Sequence, residues 1–243
     1  VKFIFLGIVQ GITEFLPISS SGHLFVIQKL LNIEGDYLPF LVFLHLATLL
    51  AIIIFFSKKI KLLFKARPFF NILLITLISG IMGLGIKVYL KEFFGSKFLL
   101  CFCFLANAGV LLSIRPTSKG RVATSINFKD SLFLGLLQGL SPLPGISRSG
   151  ITIVGLLRRG FKRREAFILS FLMAIPIIIG AFIVEFRDFE KANLSLQNMG
   201  LGFAAAFVFG LLALSLVRKT LKTRKFKNFA YYCLLVALIT LII

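Results

Sequence analysis

Six apolar stretches, at residues 40–56, 69–89, 98–114, 165–186, 199–217 and 228–243, constrain this chain more than any motif it carries. Each is near the about 20 residues with which an α-helix crosses hydrocarbon. With 29 phenylalanines among 243 residues, 58% hydrophobic composition and a mean hydropathy of +0.99, a soluble core could not absorb the apolar surface. Lipid must solvate it. The expected fold is therefore an all-α integral membrane protein, a single membrane domain over residues 1–243, with six transmembrane helices.

A net charge of +19 would suggest nucleic acid in a soluble protein. Here the bases fall in short runs between apolar stretches, the pattern that sets topology, so no nucleic-acid partner is expected. Clusters follow the first stretch (Lys58, Lys59, Lys61, Lys65, Arg67), the third (Arg115, Lys119, Arg121) and the fifth (Arg218, Lys219, Lys222, Arg224, Lys225, Lys227). The positive-inside rule assigns these ends to the cytoplasm. Cys101, Cys103 and Cys233 lie in apolar runs without metal-ligand or redox spacing and read as packing residues. The first apolar segment carries Gln10, Thr13 and Glu14 and lacks a basic lead and a small-residue cleavage site, so it is not expected to be a cleavable signal.

Two further segments, residues 3–31 and 131–157, are interrupted by GITEFLPISSSGH and GLSPLPGISRSG. On this topology the first joins the 40–56 span at the outer face, near Glu34 and Tyr37. The second is flanked by Lys129 and by Arg158, Arg159, Lys162, Arg163 and Arg164, read as interfacial anchors that hold both its ends inside. A broken segment with both ends on one face is a re-entrant hairpin, tolerated where protein or a wet cavity satisfies its backbone. The two hairpins are expected to enter from opposite faces and meet. A shift of about 128 residues lays 5–22 on 133–150 with roughly half the positions identical, including Gln10 on Gln138, Ser19 on Ser147 and Gly22 on Gly150. Each half, about 1–115 and 129–243, is then one hairpin plus three spans; three being odd, the repeat is inverted.

Polar groups at membrane depth are costly unless paired, and ionisable ones there are functional by default. Gln10 and Glu14 are four apart, so on a helix they share a face and could present oxygens to one hard divalent cation; the competing reading pairs Glu14 with Arg148. Ser19, Ser20, Ser21 and Gly22 read as a turn into a half-helix whose N–H groups attract an anion, or as a plain cap. His23 follows within a turn and could serve as base, acid or nucleophile. His45 divides between packing and a supporting role. In the second segment Gly145 permits close backbone approach, Ser147 and Ser149 flank Arg148, and Arg148 can fork two phosphate oxygens. Under the repeat Arg148 stands at the place of Ser20, Pro142 at that of Glu14 and Ile151 at that of His23. Such a polar centre in lipid suits an anionic head on a long apolar tail.

GIVQGITEFLPISSSGHL and LPGISRSGITIVG, at this separation and within this span pattern, resemble the undecaprenyl-diphosphate phosphatase family of bacteria, the bacitracin-resistance family. The resemblance covers nearly the whole chain. It implies hydrolysis of undecaprenyl diphosphate to the monophosphate and phosphate, recycling the lipid carrier for peptidoglycan synthesis, with Mg²⁺ or Ca²⁺. It also implies a multi-pass protein of the bacterial inner membrane whose active site faces outward. Gln10 and Glu14 match the family's Glu/Gln-x-x-x-Glu motif, the acceptor set for the cation, with more weight on Glu14 because position 10 is Gln. Ser20 and His23 match its serine-to-histidine element, read here as Ser20-Ser21-Gly22-His23; Ser147, Arg148 and Ser149 match its Pro-Gly-x-Ser-Arg-Ser motif, with Thr152 just after it.

The expected mechanism holds the diphosphate on Arg148 and hairpin N–H groups while a cation on Glu14 neutralises charge. Three nucleophiles stay open: Ser20 with His23 as base, His23 itself, or a metal-activated water. The rival function is a transporter or flippase of an anionic prenyl lipid, since inverted repeats with broken helices are also a transporter architecture. The expected partners are the carrier lipid and the bilayer, with a homodimer the one protein partner considered.

Overall fold

The computed structural model of the chain describes residues 2–30, 38–114, 120–191, 195–223 and 225–242. These form ten α-helices: α1 (Lys2–Phe15), α2 (Ser20–Leu30), α3 (Leu38–Phe55), α4 (Ala66–Leu90), α5 (Lys97–Leu112), α6 (Phe128–Gly139), α7 (Arg148–Arg158), α8 (Arg163–Lys191), α9 (Leu196–Lys222) and α10 (Asn228–Ile242). The outer turn expected at Glu34 and Tyr37, and the topological bases Arg115, Lys119 and Arg224, lie outside the described residues.

Among the described residues four helices are long and apolar enough to cross a membrane: Ala66–Leu90, Arg163–Phe186, Leu196–Lys222 and Lys225–Ile242. The other two expected spans, Phe40–Phe55 and Lys97–Leu112, are apolar but shorter. Large apolar side chains face outward along these helices, with Ile81 73%, Phe102 68% and Ile183 67% exposed. Apolar surface on that scale is stable only against lipid.

The segments with polar centres are each two short helices. α1 has 14 residues, α2 11, α6 12 and α7 11. At 1.5 Å per residue the longest reaches about 21 Å, short of a hydrocarbon core of about 30 Å. α1 stops ahead of Pro17, which disfavours helical geometry at the residue before it. The chain then turns through Ser19 at φ 69°, a left-handed conformation rare for a non-glycine residue, and re-enters helix at Ser20. α6 starts in a capping box made by Asn127 and Asp130, and α7 starts where Ser147 accepts from Gly150 N–H.

Helix neighbours come in exchanged pairs. α1 packs on α9 as α6 packs on α4; α3 packs on α9 as α8 packs on α4; α3 with α8 and α5 with α10 close the set. When the first five helices trade places with the last five, the first four of these pairings exchange two by two and the last two map onto themselves. Phe15, Phe56, Phe167 and Phe171 pack together where α1, the end of α3 and α8 converge, with ring centroids 5.1–5.8 Å apart along the chain of contacts.

The two ends of the α6–α7 segment are tied together. Asp130, in the first turn of α6, receives Arg121 Nη2 at 2.5 Å and Arg159 Nε at 2.7 Å. Burial alone would raise the Asp130 carboxyl, but hydrogen bonds from Arg121 and Arg159 outweigh it and hold the group below the usual carboxylate range. Arg159, expected to be a topological anchor, therefore also closes a structural network. Cys101, Cys103 and Cys233 are buried and unpaired, as packing residues would be.

Candidate active site

Everything at the site follows from two turns pressed together. Ser19 Oγ accepts from Gly145 N–H at 3.0 Å and from Gly22 N–H at 3.3 Å, so one hydroxyl caps α2 and docks the other segment's turn. Ser147 and Ser149 reach back, donating to the Leu16 carbonyl at 3.4 and 3.2 Å. Asn107, 1% exposed on α5, bridges both: its amide nitrogen donates to the Pro17 carbonyl at 2.9 Å and its oxygen accepts from Ser147 N–H at 3.1 Å. Gly145 has φ +101°, and a Cβ there would lie 2.7 Å from Cys103 Cβ and 2.9 Å from Phe104 N. A Cβ on Gly22 would sit 2.6 Å from the Phe104 ring. Neither glycine binds anything through a side chain; both set how close the turns come.

Glu14 is the hub. Arg148 Nη2 donates to Oε1 at 2.9 Å, while Oε2 accepts from Ser20 Oγ at 2.7 Å and from Gln10 Nε2 at 3.2 Å. His45 Nε2 stands 3.5 Å from Oε2, an ion pair when the ring is protonated, and its Nδ1 meets the Leu41 carbonyl at 2.8 Å. The Glu14 and Arg148 side chains are only 7% and 10% exposed, so the pairing offsets the desolvation of both. The ion pair weighed against a cation site is thus formed. The Thr152 hydroxyl donates to the Arg148 carbonyl at 2.7 Å one turn back along α7, and the Arg148 guanidinium lies 5.7 Å from the Phe171 ring centroid.

Two buried atoms here have no partner: Arg148 Nη1 and Gln10 Oε1. An unsatisfied buried donor on a cation is a place for an anion, and an unsatisfied amide oxygen beside a carboxylate is a place for a cation. Among the described residues no group of three or more His, Cys, Asp and Glu side chains forms a cage for a metal. Glu14 and Gln10 nonetheless fit the sparse type of site in which a hard cation takes one carboxylate and completes its shell with phosphate oxygens and water.

The Ser20–His23 pairing expected from sequence is not formed. His23 Nδ1 lies 2.7 Å from the Ser19 carbonyl, which requires the proton on that nitrogen, so Nε2 accepts from Tyr232 Oη at 2.8 Å. Both ring positions are occupied, and the ring stacks on Tyr232 at 5.5 Å. Capture of Nδ1 by the turn residue four positions back, Ser19, rotates the imidazole away from Ser20. Asn107 and Tyr232 were not among the expected site residues. A lone amide inside an apolar stretch was the available signal for Asn107; Tyr232 gave none.

A cavity of about 280 Å³ opens beside these groups. Its lining mixes polar residues, Glu14, Ser19, Ser20, Ser21, Ser147 and Arg148, with apolar ones, Val42, Ile146, Ile177, Ile178 and Ala181. Gln10, Gly22, His23, Gly145, Ser149 and Thr152 are not among its lining residues. The cavity therefore combines a cationic clamp, hydroxyls, one carboxylate and an apolar wall.

A family model described as bacitracin resistance protein BacA matches residues 3–239. A protein of Thermosipho africanus is 40% identical over 245 residues, covering 97% of each chain. One from Thermosipho melanesiensis is 36% identical over 250 residues, covering 99% of this chain and 98% of its own. A third, from Methanococcus vannielii, is 38% identical over 246 residues, covering 97% and 96%. All three carry the name undecaprenyl-diphosphatase.

Proposed function

The chain belongs to the bacitracin resistance protein BacA family, and from that premise we propose that it is a membrane phosphatase hydrolysing undecaprenyl diphosphate to undecaprenyl phosphate and inorganic phosphate, which returns the carrier to cell-wall synthesis. The relatives' names favour hydrolysis over transport. The observation that carries the reading is the buried, unpartnered Nη1 of Arg148, a residue that lines a cavity with both polar and apolar walls. A terminal phosphate fits the clamp and the first prenyl units fit Val42, Ile177 and Ile178.

In this reading the diphosphate draws Arg148 from Glu14 into a fork on phosphate oxygens. Ser20 Oγ, already donating to Glu14, attacks the terminal phosphorus and passes its proton to that carboxylate. The bridging P–O bond breaks and undecaprenyl phosphate leaves. Water then cleaves the phosphoserine, with Glu14 taking the water's proton as Ser20 regains its own. His23 is a positioning residue, fixing the Ser19 carbonyl against Tyr232. Glu14 and Gln10 Oε1 would hold the divalent cation, Mg²⁺ or Ca²⁺, which supplies charge neutralisation at the diphosphate.

The two broken segments are proposed as re-entrant hairpins of an inverted repeat with six spans, supported by their short helices, the exchanged helix pairings and the Asp130–Arg159 tie between the ends of the second. The cavity lies toward the ends of α3 and α8 remote from the basic clusters, which supports a site facing the outer side of the bacterial inner membrane.

Phosphate release from C55 diphosphate in detergent, with and without EDTA, tests the activity, since hydrolysis needs no sealed membrane. Quenching a turnover with terminally ³²P-labelled substrate tests the mechanism: label is expected on Ser20 and absent from Ser20→Ala. Label on His23 would overturn the assignment, and unlabelled, active protein would assign the attack to water.

A further inference from the structure

A second cavity, of about 480 Å³, occupies the opposite ends of two helices that wall the candidate active site. α3 gives Val42 and His45 to the first cavity and Phe55 and Phe56 to this one; α8 gives Ile177 and Ile178 to the first and Phe167 and Ile168 to the second. At 1.5 Å per residue they stand roughly 15 Å apart along the helices. Phe171 lies between them, its ring 5.1 Å from Phe167 on one side and Arg148 5.7 Å from it on the other. The second cavity is thus separate from the proposed reaction.

Its lining holds six cations: Lys58, Lys59, Arg163, Arg164, Arg218 and Lys222. Among the described residues none of them pairs with a carboxylate. Glu165, the acid closest in sequence, instead accepts from Ala123 N–H at 2.9 Å and does not line the cavity. Setting membrane topology requires bases on a flank; it does not require them to converge from three helix ends on one hollow. The hollow is also built. Arg218 sits 5.4 Å over the Phe55 ring, and Arg163 Nη1 donates to the Leu221 and Lys222 carbonyls at the end of α9. Phe55, Phe56 and Phe167 form an aromatic floor.

Within one turn of the basic residues along α3 and α9, Ile54 and Leu216 are 49% and 45% exposed, so both helices carry apolar side chains toward lipid at the level of the cavity. A free anion would use only the cations; an amphiphile uses both parts. The geometry points to a binding site for the phosphate headgroup of an anionic membrane lipid in the leaflet on the basic face, its chains lying along the exposed apolar side chains of α3 and α9. The occupant is a bulk phospholipid and the site is distinct from the substrate cavity.

The full chain contains no tryptophan, so Phe55→Trp makes a single reporter at the floor. Reconstituted in phosphatidylcholine vesicles, it is titrated with phosphatidylglycerol or phosphatidylcholine carrying identical brominated chains. Quenching should favour phosphatidylglycerol by about fivefold or more, as expected where one or more bases act near the surface. Arg163→Gln with Arg218→Gln should bring that preference near one, whereas Arg163→Lys with Arg218→Lys should keep most of it. Lys225→Gln with Lys227→Gln removes the same charge outside the cavity and should leave it intact. Equal loss in both Gln pairs, or no preference in the parent reporter, would overturn the site in favour of diffuse surface charge. Displacement of the brominated lipid by inorganic phosphate at matched ionic strength would overturn the lipid assignment in favour of a free anion.

Discussion

In α1–α2 the turn serine Ser19 accepts from Gly22 N–H at 3.3 Å and lies 3.3 Å from Ser21 Oγ; in α6–α7 Ser147 accepts from Gly150 N–H at 3.2 Å and lies 3.1 Å from Ser149 Oγ. The same device recurs at both breaks, about 128 residues apart. The partners then diverge for a covalent reason. Ser19 is docked by the amide of Gly145, whereas the repeat places Pro17 opposite Ser147, and proline has no N–H to give. Ser147 turns donor and uses the Leu16 carbonyl. On this shared frame the first segment carries Glu14 and Ser20 where the second carries Pro142 and Arg148. Placing acid and base on different segments lets them compensate each other across the interface when the cavity is empty, and lets the base turn to an anion when it is filled.

The strongest break of this division comes from Arg148→Ala. It should lower phosphate release by about 10³-fold, the scale on which a charge-stabilising arginine acts in phosphoryl transfer. Arg148→Lys should recover only part, because an ammonium cannot hold two oxygens in a fork while facing Glu14. Turnover within tenfold of the parent in Arg148→Ala would remove the second segment from the chemistry.

Gly145→Ala tests the closeness of the two turns. The new methyl would meet Cys103 Cβ at 2.7 Å on a backbone at φ +101°, whereas a methyl on Gly160, at φ +81°, meets nothing within 4 Å. Both carry the conformational cost of a left-handed alanine, about 1 kcal/mol; only Gly145 adds overpacking of about 1–3 kcal/mol. Thermal unfolding in detergent should rank Gly145→Ala well below Gly160→Ala, and equal melting temperatures would mean the turns are free to separate.

The two equivalent glutamines sharpen the comparison further. Gln10 and Gln138 each bury an unpartnered Oε1, but Gln10 Nε2 donates to Glu14 and Gln138 Nε2 only to Ser79 Oγ at 3.1 Å. Gln10→Leu should cost roughly tenfold in kcat/KM and raise the divalent cation concentration needed for half-maximal rate, by the loss of one weak ligand. Gln138→Leu should change neither by more than about twofold, because its amide bonds Ser79 and it does not line the cavity. Matching effects would place the shared glutamine in packing in both halves.

Much of this was legible beforehand because it is written in local chemistry. Proline after an apolar run, serines ahead of glycine, and a glutamine four residues before a glutamate each specify a break, a cap or a shared helix face. Contacts made by rigid-body placement were not legible. Asn107 and Tyr232 act only because α5 and α10 pack together beside the turns. An aromatic residue near the end of a span has an ordinary interfacial reading that hides any other. The partner of His23 was not legible either, because the carbonyl of Ser19 reaches Nδ1 through a left-handed φ that serine rarely adopts. Arg159 was hidden in the opposite way, since the positive-inside rule accounts for a base at that place whether or not it has a partner.

Asp130 marks the smallest expected effect and separates the segments on structural grounds. It joins the start of α6 to the end of α7, and on the repeat its counterpart in the first segment is Lys2, which can make no such tie. Because its folded carboxyl is held below the usual range, its contribution is fully present above that range and is lost as pH falls through the folded value. Asp130→Asn leaves Arg121 and Arg159 without their anion, both about one-third exposed, so the cost at pH 7 should be about 1–2 kcal/mol rather than that of a fully buried pair. Thermal unfolding in detergent should show the gap between parent and variant narrowing as pH drops below the ordinary carboxylate range. A gap that stays constant with pH would mean the tie works through hydrogen-bond geometry alone, and that charge is not what holds the second segment shut.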